Sequence, residues 1–186
     1  MPTAYTGGKL IDRSREKEVN TVNVEGSPEQ SLNARAEHFM RLFGYCSQAS
    51  FATLQDQLSI ECDPASFIKA LRPFPGTGFT QETCGAVSGC LLALGLIHGT
   101  ADNSDQEQSA RCIALARDFC TKVGAELGST RCGDIMERQF GRRFDLYDPD
   151  QVREFSDAGA GEKCTEVVKT AVRIAYDLLR ESPRPT

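Results

Sequence analysis

From Ser31 onward the apolar positions recur at helical spacing. Leu32, Ala36, Phe39, Met40 and Phe43 form one stripe, which Gly44 ends. A second helix opens at Cys46 and carries Ala49, Phe51, Ala52, Leu54 and Leu58. Asp63-Pro64 pairs a capping residue with proline at the first helical position and starts a short helix running to Leu71. Residues 72–80 (RPFPGTGFT) hold two prolines and two glycines and read as a shaped loop. Cys84 through Ile97 contains no charge, and a helix apolar on every side is expected in the middle of a bundle. A longer helix follows from Gln106 to Leu127, with Ile113, Ala116, Cys120 and Val123 expected inward. Another begins near Cys132 after Ser129-Thr130, read as a capping pair, and a short one surrounds Val152–Phe155. The last, introduced by Gly159 and Gly161, keeps its period through Cys164, Val167, Val168, Ala171, Ile174, Ala175 and Leu178. Alternating strands are absent. The pattern predicts an all-α fold, a compact bundle of six or seven helices around a buried Gly-rich central helix. Residues 1–30, poor in apolar side chains, read as a loosely packed N-terminal extension before a single helical domain over 31–182.

The central helix contains Gly85, Gly89 and Gly95. Each costs about 1 kcal/mol relative to alanine, so something must approach the backbone closely. A neighbouring helix or a bound group would serve, which makes Gly85 and Gly89 candidate cofactor contacts.

Composition narrows the function classes. The chain has 186 residues, 25% charged and 40% hydrophobic, ordinary values for a globular domain that needs no disulfides to hold its core. A net charge of -5 argues against nucleic acid and against an anionic membrane surface as partners. No apolar run approaches the roughly 18 residues of a membrane span. Residues 1–20 lack the apolar core of a secretion signal, so a cytoplasmic protein is expected.

Eight cysteines change the picture. In a reducing compartment such a surplus points to metal binding or redox chemistry more than to structural bridges. The closest pair, Cys84 and Cys90, lies six residues apart and there is no CxxC. That excludes the tight spacing of zinc ribbons, thioredoxin sites and bacterial ferredoxins. Any shared site must be assembled by tertiary structure. Cys46, Cys84, Cys132 and Cys164 each fall in or near the first turn of a predicted helix. There, unpaired N–H groups and the helix dipole lower a thiol's pKa toward thiolate. Four thiolates from four helix ends could meet at one point. Cys62, Cys90, Cys112 and Cys120 lack that placement and are read as small buried hydrophobes.

The tract Thr83-Cys84-Gly85-Ala86-Val87-Ser88-Gly89, with single cysteines at 46, 132 and 164, resembles a family of redox-active proteins. That family is named for the cysteine signature C-GCAxxG-C-C and carries a CGAxxG element, present here as CGAVSG. Tyr45–Ala49 and Gly95–Gly99 add to the likeness, which covers about residues 35–180. The family is similar to the non-haem part of split-Soret cytochromes, and this implies a helical domain able to hold an iron–sulfur cluster. The chain lacks CxxCH, so c-type haem attachment is not expected. The first reading is therefore a 2Fe-2S or 4Fe-4S cluster on Cys46, Cys84, Cys132 and Cys164, serving electron transfer to a redox partner protein. A thiol–disulfide oxidoreductase using two of the same cysteines, a four-cysteine structural zinc site, and plain packing with no cofactor are the alternatives. If the protein is an enzyme it is an oxidoreductase. A homodimer is left open.

Other features receive plainer readings. His98 is expected to interact with a helix C-terminus and His38 to be solvated on a charged face. Gly76-Thr77-Gly78 lacks the GK[ST] element of a phosphate loop. Arg142-Arg143 is a short basic spot on an acidic protein.

Overall fold

The structure, a computed structural model, describes residues 27–182. Among these it contains nine helical segments and no strand: α1 (Pro28–Phe43), α2 (Cys46–Leu58), α3 (Pro64–Ala70), α4 (Gly76–Phe79), α5 (Gly85–His98), α6 (Gln106–Leu127), α7 (Cys132–Phe140), α8 (Pro149–Asp157) and α9 (Ala160–Glu181). The all-α class expected from the periodicity is what the chain adopts. The count exceeds six or seven because α4 lies in the stretch read as a shaped loop, while α3 and α8, both expected as short helices, stand as segments of their own.

α1 starts earlier than its apolar stripe suggests. The Ser27 hydroxyl accepts from the Gln30 N–H, and the Gln30 side chain accepts in return from the Ser27 N–H. This capping box turns Pro28–Gln30, read above as part of the extension, into the first helical turn. Residues 1–26 of that extension lie outside the described residues.

The core is built where α9 lies against α1, α2, α5 and α6. Phe39, Phe51, Leu54, Leu94, Phe119, Val168 and Val172 are fully buried there. The α2–α5 seam is the tightest pairing. A Cβ on Gly89 would stand 2.2 Å from Ser50 Oγ and 2.3 Å from the Ser47 carbonyl oxygen. One on Gly85 would stand 2.5 Å from Cys46 Sγ. Of the two occupants expected beside these glycines, the neighbouring helix is the one present at both. α2 matches them with small polar residues whose hydroxyls are satisfied locally. Ser50 donates to the Cys46 carbonyl, Thr53 to that of Ala49, and Ser47 to that of Leu71.

Three expectations need correction. Gly95 is exposed, and a Cβ there would meet nothing within 4 Å. Its side of α5, with Leu91, Leu92 and Leu96, is only half-buried, because α2, α6 and α9 cover the helix from the other directions. Ile113 is 67% exposed, since α6 packs along Phe119 and Val123 and turns Ile113 to its outer edge. His38 is not solvated at its ring tip: Nε2 is buried without a hydrogen-bond partner, and the ring packs edge-on against Phe39.

Candidate functional site

Each of the four signature cysteines comes from a different helix, and tertiary contacts draw them together. Cys84 is the N-cap of α5, Cys46 and Cys132 are the first residues of α2 and α7, and Cys164 is the fifth residue of α9. Cys84 is 5% exposed and the other three are partly buried. Cys46 comes onto Cys84 because Gly85 has no side chain to hold it away. Cys132 is brought alongside by a single antiparallel bridge between Thr83 and Arg131. Across it the Cys84 N–H donates to the Thr130 carbonyl (2.9 Å) and the Cys132 N–H to the Glu82 carbonyl (2.6 Å). The Arg131 guanidinium pairs with Glu82 on the outside. Cys164 is carried in by α9, whose first turn is tied to α7 by Lys163 donating to the Gln139 carbonyl and lying over the Phe140 ring.

The four thiols do not share one electrostatic state. The Cys84 thiol is held below its ordinary value, first because the Cys46 thiol donates to its sulfur. Burial works against this, and the N–H dipoles of Ala86 and Val87 add to it, although no full capping bond forms. Cys46, the donor, is pushed well up by that same bond and by burial. Cys132 and Cys164 are each pushed up to about 12, chiefly by burial and then by the negative charge at Cys84. The expectation that all four are lowered is thus met only at Cys84, first because it receives the Cys46 hydrogen bond and secondly for a reason of register. The N-cap position alone points a side chain at the second and third N–H groups of its helix. At α7 the first two N–H groups are spent on the carbonyls of Glu82 and Gln81. Cys164 lies a full turn into α9, beyond the unpaired N–H groups. Ser129, taken for part of a cap, instead donates to Asp134, and the cap residue is Arg131.

Beside the sulfurs lies a cavity of about 140 Å³, bordered by Cys46, Cys132 and Cys164 and otherwise by apolar groups such as Met40, Phe79, Met136 and Phe155. One water needs only roughly 10–15 Å³, so the space suits something larger than an ion and its hydration. Part of its wall is unusual backbone. Gly76, Thr77, Gly78 and Phe79, the whole of α4, all have positive φ, so the segment is one left-handed turn. For Thr77 and Phe79 that conformation costs about 1–2 kcal/mol each. Gly76 meets this demand freely, and the same lack of a side chain lets its backbone rest on Cys132, 3.3 Å from where a Cβ would sit. The Tyr147 hydroxyl donates to the Gly78 carbonyl, and Gln81 to that of Phe144, pinning the strap in place.

The donor set is all sulfur: no carboxylate or imidazole borders the cavity, which favours soft metals and iron–sulfur chemistry. Among the described residues no three His, Cys, Asp or Glu side chains stand at the spacing of a single-ion site. Thiolates around one zinc crowd together at bonds of about 2.3 Å, whereas a cluster of several irons spreads its ligands around a larger body. Four gathered cysteines, three of them bordering an apolar space, are compatible with the latter. Gly85 and Gly89 face α2, and neither borders the cavity. The remaining cysteines stand apart from it. Cys90 is fully buried in α5, and Cys62, Cys112 and Cys120 are partly buried elsewhere. Met136 and Tyr147 carried no signal of their own in the sequence, Met40 only that of an apolar stripe; the proline- and glycine-rich 72–80 stretch, Gly76 included, marked that something is shaped there.

Neither the curated proteins nor the solved structures give a match to this chain. Residues 44–178 match the family described as "Putative redox-active protein (C_GCAxxG_C_C)". That span holds all four gathered cysteines and the CGAVSG tract, and the chain belongs to this family.

Proposed function

We propose that Cys46, Cys84, Cys132 and Cys164 hold an iron–sulfur cluster and that the protein passes electrons to and from a redox partner in the cytoplasm. The observation that supports this most is the gathering of four thiols, each on its own helix: Cys46, Cys132 and Cys164 border one apolar cavity, and Cys84 lies against Cys46. When bound, such a cluster supplies a one-electron carrier whose potential depends on burial and on hydrogen bonds to its sulfurs.

The chain's own contribution follows from its residues. Cys84, held below its ordinary value, gives up its proton most readily of the four and is the natural first anchor. Cys46, Cys132 and Cys164 hold their protons at neutral pH and release them on ligation, so loading improves as pH rises. Phe79, Met136 and Phe155 give the sulfurs an apolar surround. Met136 is fixed by the Phe144 N–H, which donates to its sulfur at 3.1 Å.

A second reading draws on the Cys46–Cys84 pair. A thiol donating to a neighbouring thiolate is the arrangement from which a dithiol–disulfide cycle starts, and it would make the protein a thiol oxidoreductase. Protein purified without oxygen separates the two. Brown protein containing iron and acid-labile sulfide, absorbing near roughly 400 nm, supports the cluster. Colourless metal-free protein with a reversible Cys46–Cys84 disulfide supports the second reading, and stoichiometric zinc with no colour contradicts both.

A further inference from the structure

The cysteine cavity has two flanks, and they are closed in different ways. On one, the left-handed strap walls it with Pro75 and Phe79, rests Gly76 on Cys132 and is latched by Tyr147. Phe79 stacks on Tyr45, which also lines the cavity and lies beneath the Arg72 guanidinium at 4.1 Å. On the other flank a surface groove of about 460 Å³ runs between the C-terminal half of α1 and the start of α9. Its wall is braced by Lys169, which bridges Glu37 on α1 (2.6 Å) and Glu166 on α9 (2.8 Å).

Met40 and Gly44 line both the groove and the cavity. One flexible side chain and one stretch of backbone therefore stand between this groove and the thiols. Methionine has three rotatable bonds and swings at low cost. A Cβ at Gly44 would meet nothing within 4 Å, so open space adjoins the backbone there. Along α9, Gly161 and Thr165 face the groove while Cys164 faces the cavity.

We infer that the α1–α9 groove is the entrance through which small solutes that ligate or react with thiols reach the site, with Met40 as its movable door. Cys164 and Cys46 are the first thiols met, and Cys132, under the strap, is reached later. The inference rests on the groove and the cavity alone and stands whichever group the cysteines hold.

The test uses the reduced, metal-free full chain, labelled with N-ethylmaleimide and followed at each cysteine by mass spectrometry. Gly161→Leu is the decisive variant. The position is helical and a Cβ there meets nothing within 4 Å, so the protein folds and the leucine projects into the groove. Labelling of Cys46 and Cys164 should slow at least about fivefold in this variant and quicken at least about fivefold in Met40→Ala, since reaction follows access to the thiol. Cys112, on α6, should label at an unchanged rate in both, as should all cysteines in Tyr147→Phe. Unchanged labelling in Gly161→Leu, or acceleration by Tyr147→Phe, overturns the inference.

Discussion

The two halves of the cysteine site are built on opposite principles. The Cys46–Cys84 half is set by contact. α2 and α5 approach until Gly85 and Gly89 have no space for a single added carbon, and the two sulfurs are fixed against each other. The Cys132–Cys164 half is set by a frame around empty space. A two-bond bridge, a left-handed strap and the start of α9 hold those thiols at the rim of the cavity. The first half supplies a rigid, charged anchor; the second supplies room. A site that must admit a bulky group and then grip it gains from this division.

The largest effect is expected where contact is tightest. Gly89→Leu forces a side chain into the Ser47 carbonyl and the Ser50 hydroxyl. It should cost about 3 kcal/mol or more and lower the midpoint of thermal unfolding steeply, whereas Gly161→Leu should leave it unchanged or raised. Equal midpoints would dissolve the distinction between a filled half and an open one. Next comes Cys84→Ser, which removes the thiolate anchor and should abolish iron binding while Cys112→Ser retains it, measured as iron per chain. Equal retention in both would show that the anchor is not needed.

A pH series on the reduced, metal-free protein sharpens the electrostatic side of the comparison. Cys132 and Cys164 bind their protons more tightly folded than unfolded, so the stability they contribute is complete below about pH 9. It is lost as pH rises toward about 12. Cys84 has the opposite sign: its contribution is present at alkaline pH and fades as pH falls through its lowered value. Unfolding midpoints should therefore decline across pH 9–12 in wild type and decline less in a Cys132→Ala/Cys164→Ala variant. The same decline in both would remove the assignment. The smallest effect belongs to the latch. Tyr147→Phe deletes one bond from an exposed hydroxyl and should cost about 1 kcal/mol or less. A loss as large as that of Gly89→Leu would mean the strap is not an accessory frame but a keystone.

Much of the fold could be read from the chain because it rests on local periodicity. The stripes of α1 and α9 and the proline-led start at Pro64 are written in consecutive residues, although Asp63 makes no capping bond there. The approach of something to Gly85 and Gly89 was legible too, as three glycines in an uncharged helix. The signal failed at Gly95, where an identical residue serves no contact. What stayed hidden depends on partners far away in sequence. Nothing near Thr83 announces Arg131, and the left-handed turn at Gly76–Phe79 holds its shape through Tyr147 and Phe144. The thiol states were hidden for a related reason. The state of Cys46 and Cys84 is decided first by which of the two sulfurs, far apart in sequence, receives the other's hydrogen bond. The N-cap position of Cys84 adds only the smaller pull of the Ala86 and Val87 N–H groups.

The most direct test of four cysteines sharing one cluster is X-ray absorption at the iron edge of protein purified without oxygen. A first shell made only of sulfur, together with scattering from neighbouring iron, is the predicted result. Iron bound through oxygen or nitrogen, or protein that takes up no iron at all, would contradict it.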